Sequence, residues 1–169
     1  MIFAVIASII FAVNKTNNTK NDNSLKVLDI LEVDYLNSVS KRDRISFEEA
    51  KKNNDNLKEK HKDKEIIYKK ISRVQSIKET SIETNIEVEV SVLYDRKAKE
   101  YTEFLGVGKP KINIISSNKE LKWDGGEENI DFKGDNIRIS FTGCASLKNE
   151  KNLSDVVTQV LDINLEYMK

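Results

Sequence analysis

A chain of 169 residues with 28 Lys+Arg against 28 Asp+Glu carries no net charge, which removes the field that draws a protein to nucleic acid or to an anionic membrane surface. That length allows one domain around one core, with a short accessory region. Hydrophobic residues at 38% and a single proline, Pro110, exclude a disordered chain or a string of linked modules, and a lone cysteine, Cys144, excludes an internal disulfide while leaving the redox compartment open.

Residues 1–13, MIFAVIASIIFAV, are apolar except for Ser8 and carry no charge. Thirteen helical residues at about 1.5 Å each reach roughly 20 Å, whereas a bilayer core needs about twenty residues. A secretory signal peptide would place Lys or Arg ahead of the apolar run, and here the sequence starts on Met1-Ile2-Phe3. A buried core strand is the third alternative for the segment. Residues 14–24, NKTNNTKNDNS, contain no apolar side chain. Ser24 then stands where it can cap a helix over Leu25–Val39, because Leu25, Leu28, Leu31, Tyr35, Leu36 and Val39 recur at three- and four-residue spacing. Leu28, Leu31, Tyr35 and Leu36 are the positions expected to pack on a sheet. Ser46-Phe47-Glu48-Glu49 forms a capping box ahead of a second helix with a thin apolar face, Phe47, Ala50 and Leu57. The stretch EIIYKKISRVQSIK suits a helix stripe or an irregular strand, with strand preferred.

From Ile82 the period becomes two, with Ile82, Ile86, Val88, Val90, Val92 and Tyr94 on one face and Glu87, Glu89 and Ser91 on the other, the pattern of a half-buried strand. Further strand runs follow at KEYTEFLGV, KINIIS, ELKW, NIDF, NIRISF and VTQVLDINLEYM. Asp124-Gly125-Gly126 and Gly134-Asp135 are predicted hairpin turns that use positive φ. The expected class is α+β: a hydrophobic and then an amphipathic N-terminal helix followed by an antiparallel sheet, with a helix plus curved sheet or a β-sandwich as alternatives. The expected divisions are 1–13 as a hydrophobic helix, 14–64 as a helical and polar connecting region, and 65–169 as an antiparallel β domain.

Candidate chemistry is sparse. His61 is the only histidine and sits in the charged run KEKHKDKE, which offers no local partner for a metal or a catalytic pair. Cys144 has no neighbouring histidine or basic pair to activate it, and strand parity sets it opposite the face of Ile137, Ile139 and Phe141. The acidic residues Asp124, Glu127, Glu128, Asp131 and Asp135 are of the oxygen-ligand type that calcium takes, but lack a calcium loop's spacing. Trp123 beside the Gly-Gly pair fits the end of a core or an exposed contact. No catalytic, cofactor-binding or metal residue is assigned, and neither a cofactor nor a specific nucleic acid is expected.

The tract MIFAVIASIIFAV and its continuation NKTNNTKNDNSLKVLDILEVDYLNSVSK resemble the later part of the N-terminal segment of a type IV pilin or pseudopilin. That family's basic leader ending in glycine and its Phe-Thr-Leu-Ile-Glu type motif are not in this sequence. The resemblance implies a chain that begins about ten residues into the mature helix, whose restored length of about twenty apolar residues would suit a bilayer. It implies a non-enzymatic structural subunit, a minor pilin or pseudopilin of a type IV pilus, type II secretion or competence system. Its partners would be other pilin-like subunits and membrane assembly proteins, with membrane lipid before assembly. The protein would be single-pass in the cell membrane with the β domain extracytoplasmic, then at the cell surface or in a filament. The alternative is a membrane-anchored extracytoplasmic binding module of an envelope or conjugation machinery.

Overall fold

The computed structural model describes residues 25–76, 83–115, 121–147 and 156–168. The expected apolar helix of residues 1–13 and the polar run after it lie outside the described residues. Strand β1 (Lys26–Asp29) opens the fold and is followed by helices α1 (Glu32–Asp43) and α2 (Phe47–Lys60) and strands β2 (Glu65–Ser76) and β3 (Glu83–Asp95). β2 and β3 pair antiparallel along their whole length, from Glu65 opposite Tyr94 to Ser76 opposite Glu83, and β1 adds to the outer edge of β2. The other edge of β3 is shared. β4 (Glu100–Val107) pairs with Val90 to Asp95 and β5 (Lys111–Ile115) with Glu83 to Glu87, with Gly108-Lys109-Pro110 between them. In the β3–β4 turn the Asp95 carboxylate accepts from the backbone N–H of Lys97 and Ala98, which holds its pKa below the usual carboxylate value.

β6 (Leu121–Lys133), β7 (Asn136–Leu147) and β8 (Val156–Asn164) form a second antiparallel sheet, ended by a 3-10 turn at Leu165–Met168. Alternation in both sheets produces the main core: Ile71, Ile86, Val88, Val90, Val92 and Phe104 of the first sheet share one buried cluster with Ile137, Ile139, Phe141, Leu161 and Ile163 of the second. The helices cover the opposite face of the first sheet, where Tyr35, Leu36, Val39 and Ala50 cluster with Tyr68.

A helix-led, pilin-like class is therefore not what the chain adopts from residue 25 on: the described part is mostly antiparallel sheet with two short helices. Where a helix was expected over Leu25–Val39, Lys26–Asp29 is a strand and α1 begins only at Glu32. The segment's apolar residues fit both periods, since Leu25 and Val27 also alternate. The open edge of β2 decides between them, because β1 satisfies backbone groups from Lys69 to Ser72. Leu28 and Leu31 are consequently 52% and 74% exposed, while Tyr35 and Leu36 are buried as expected. Among the described residues no helix is long and apolar enough to cross a membrane.

Other expectations separate in the same way. The Ser46 hydroxyl caps α2 by accepting from the Glu49 N–H at 3.1 Å. Gly134-Asp135 does join β6 to β7, with Lys133 opposite Asn136, but no glycine among the described residues has positive φ. Asp124-Gly125-Gly126 is not a hairpin: β6 runs through it, and the register shift between Asp124 and Glu127 makes it a bulge.

α1 lies close on the sheet through polar contacts. The Tyr35 hydroxyl accepts from Ser91 at 2.9 Å, and the Ser38 hydroxyl donates to the buried Glu89 carboxylate at 2.7 Å. A Cβ on Gly106 would fall inside contact distance of the Tyr35 oxygen, and one on Gly108 would lie 2.7 Å from Ser38 Cβ, so both glycines are required by the helix's approach. Leu36→Ala is expected to cost about 2 to 5 kcal/mol in denaturant unfolding, and Leu31→Ala less than about 0.5 kcal/mol. A larger loss from Leu31→Ala than from Leu36→Ala would show that the helix faces the other way. Gly106→Ala should destabilise strongly, and Tyr35→Phe should relieve part of that loss in a double-mutant cycle, since it removes the oxygen the new methyl meets; strict additivity would contradict the contact.

Candidate functional site

The second sheet carries polar residues on the face turned away from the core. In β7, Ile137, Ile139 and Phe141 point inward and the intervening Arg138 outward. Register sets Arg138 directly between Asp131 of β6 and Asp162 of β8, and a second row beside it holds Lys133, Asn136 and Asn164. These side chains floor a trough of about 960 Å³ whose walls include Leu25 ahead of β1, Arg73 of β2 and Tyr167 after β8. Arg138 lies 3.6 Å from Asp162 and Lys133 3.6 Å from Asp131, with all four side chains substantially solvated. Such pairs contribute at most about 1 kcal/mol each and leave the charges available to a ligand. The Asn136 amide donates to the Asn164 side-chain oxygen.

Arg73 differs from these. It is opposite Ile86, on the face of β2 turned towards the second sheet, and its Nε is buried with no hydrogen-bond partner. Buried donors are almost always satisfied, and a charged one left alone is costlier than a neutral one. The trough thus offers three cations, Arg73, Lys133 and Arg138, against two carboxylates, Asp131 and Asp162.

The sequence candidates do not assemble. His61 ends α2 and lines a separate hollow of about 390 Å³ with Lys58, Lys62, Lys64, Glu65 and Arg96. Of the acidic residues, Glu128 is opposite Phe141 and Asp131 opposite Arg138, which puts them on opposite faces of β6, while Asp135 is in the turn. The side chains of Asp124, Glu127, Trp123 and Cys144 lie outside the described ones; by backbone register Trp123 pairs with Ala145 and Cys144 with Asp124 and Val156. Among the described residues, no three His, Cys, Asp or Glu side chains are grouped to hold a metal ion. Of the trough residues, sequence reasoning singled out only Asp131 as a candidate ligand-type residue; helical spacing assigned Leu25 to a helix's apolar face.

A second polar cluster ties the helices to the sheet. The buried Asn54 amide donates to Tyr68 Oη and to Glu32 Oε1, both at 2.7 Å, and Lys58 grips the same Glu32 carboxylate at 2.6 Å. Burial pushes the Tyr68 phenol up to about 12 and also raises that of Tyr35, against the opposing effects of the Asn54 and Ser91 hydrogen bonds. The cluster is a brace: the Asn54 amide N–H groups, Tyr68, Glu32 and Lys58 bond one another beneath the helices, while the buried Asn54 Oδ1 has no hydrogen-bond partner.

Comparison of the chain with family models, with characterised proteins and with solved structures returns no match.

Both tyrosines favour the neutral form in the folded state, so their contribution is complete below the unfolded value of about 10 and is lost as pH rises through about 12. Unfolding free energy should therefore fall over that alkaline window, and Tyr68→Phe should flatten the fall. An unchanged slope in the variant would mean that the Tyr68 hydroxyl is not buried.

Proposed function

We propose that the chain is a non-catalytic binding module, held at the membrane by residues 1–13, with residues 25–168 displayed outside the cytoplasm and the trough on the second sheet as its contact surface. The observation that carries this reading is the trough itself: solvated, loosely paired charges in two rows beside the half-buried Arg73, whose buried Nε no protein group answers. Groups in such a setting are disposed to exchange weak internal partners for a ligand's. The expected partner is a component of an envelope or transfer machinery, and lipid is the expected partner of residues 1–13. The filament-subunit reading leaned on a long amphipathic helix after residue 24, and the strand at Lys26–Asp29 withdraws that support.

Two measurements on the full-length protein test the proposal. Protease added to intact protoplasts should digest the β-rich body; protection, with a cytosolic control also protected, would overturn external display. A photo-crosslinker at position 136 should capture one discrete partner in living cells, and Arg138→Glu should abolish the adduct, whereas a crosslinker at position 52 on the exposed side of α2 should not give it. No adduct at 136, or one indifferent to Arg138→Glu, would remove the trough as the contact surface.

A further inference from the structure

The charge arrangement of the trough names its ligand's chemistry. Lys133 is opposed by Asp131 and Arg138 by Asp162, while none of the ion pairs among the described residues includes Arg73. The surplus positive charge of the trough is therefore located at one residue, which stands two positions from the fully buried Ile71 and whose Nε is shielded from water. A guanidinium binds oxyanions end-on through its two Nη groups, a planar fork that fits a carboxylate, and with Nε shielded this is the edge that Arg73 can turn to the trough it lines. Asn136, Asn164 and Tyr167 line the same trough with neutral hydrogen-bonding groups, and Asp131 and Asp162 line it as like charges that disfavour a second negative charge on the ligand.

We propose that the trough is a carboxylate-binding site in which Arg73 takes a singly charged carboxylate as a two-pronged donor, with the asparagine amides and the Tyr167 hydroxyl as neutral neighbours. The proposal rests on the binding-module reading and specifies what the trough recognises in a partner. The carboxylate has two sources, a small free acid or the end of a polypeptide, which share this chemistry. A phosphate dianion fits less well, because the surplus in the trough is one charge.

The test uses full-length protein in detergent micelles and follows the Arg73 Nε–H resonance by NMR during titration with sodium acetate, N-acetylglycine, N-acetylglycine amide and inorganic phosphate, each against sodium chloride of equal ionic strength. Saturable movement is expected with acetate and N-acetylglycine, with dissociation constants on the order of 1 mM, and none with the amide. Tighter binding of N-acetylglycine than of acetate would assign the site to a polypeptide end, and the reverse order to a free acid. Arg73→Gln should weaken binding by about tenfold or more and Arg73→Lys should also weaken it, since the ammonium lacks the planar fork; Lys52→Gln should leave it unchanged. A resonance that moves no more than in sodium chloride overturns the proposal without needing any variant to fold, and so does saturation by phosphate alone. A crosslink from position 136 with no carboxylate binding would leave the module standing and remove the carboxylate site. Carboxylate binding with no crosslink would do the opposite.

Discussion

Everything in this fold depends on covering both faces of one strand. β3 is buried along most of its length, and its two faces differ in what they demand. Ile86, Val88, Val90 and Val92 need apolar area, which the second sheet supplies. Glu89 and Ser91 on the other face are almost as inaccessible, at 3% and 0% exposure, and need partners instead. Ser38, Tyr35 and Lys111 provide them. A buried carboxylate left unanswered costs several kcal/mol, so α1 is fixed in position by hydrogen bonds as much as by Leu36 and Val39. Glycines at 106 and 108 then follow from how near that helix must come.

The two polar systems of the molecule are opposite in kind. Beneath the helices, short buried contacts join helix side chains to the sheet, with the Asn54 Oδ1 left without a partner. Across the second sheet, charges stand at longer distances in solvent and hold each other weakly. Each system holds one buried atom without a hydrogen-bond partner, Asn54 Oδ1 in the first and Arg73 Nε in the second. What separates them is that the Arg73 side chain lines the trough, and the proposed carboxylate site rests on that location rather than on the missing partner alone.

How much of this was legible follows from what each signal measures. The period of two in β3 and the two-residue turn at Gly134-Asp135 are local properties and were readable. Burial of Glu89 and Ser91 was not, because alternation places polar residues on a face without saying what covers that face. Leu25 to Asp29 misled for a related reason: five residues are too few to separate periods of two and 3.6, and the deciding factor, the free edge of β2, begins some forty positions later. In the trough, parity alone puts Arg138 and Asp162 on outward faces. Only strand order puts them side by side, and Arg73 came from a segment whose period was ambiguous.

Leu25 links the trough to the proposed membrane attachment. Leu25 is both the residue that leads into β1 and part of the trough's wall. Residues 14–24 separate it from the apolar segment, and eleven residues at about 3.5 Å each span at most roughly 38 Å. If residues 1–13 are held in lipid, the rim of the trough is confined within that distance of the membrane surface, while the helices on the far face of the first sheet are free to turn towards solvent. A ligand on the same membrane, or on a protein seated in it, then meets the trough at the high effective concentration that a short tether creates. Weak capture of a single carboxylate by one arginine is adequate in that setting, where for a free partner it would not be.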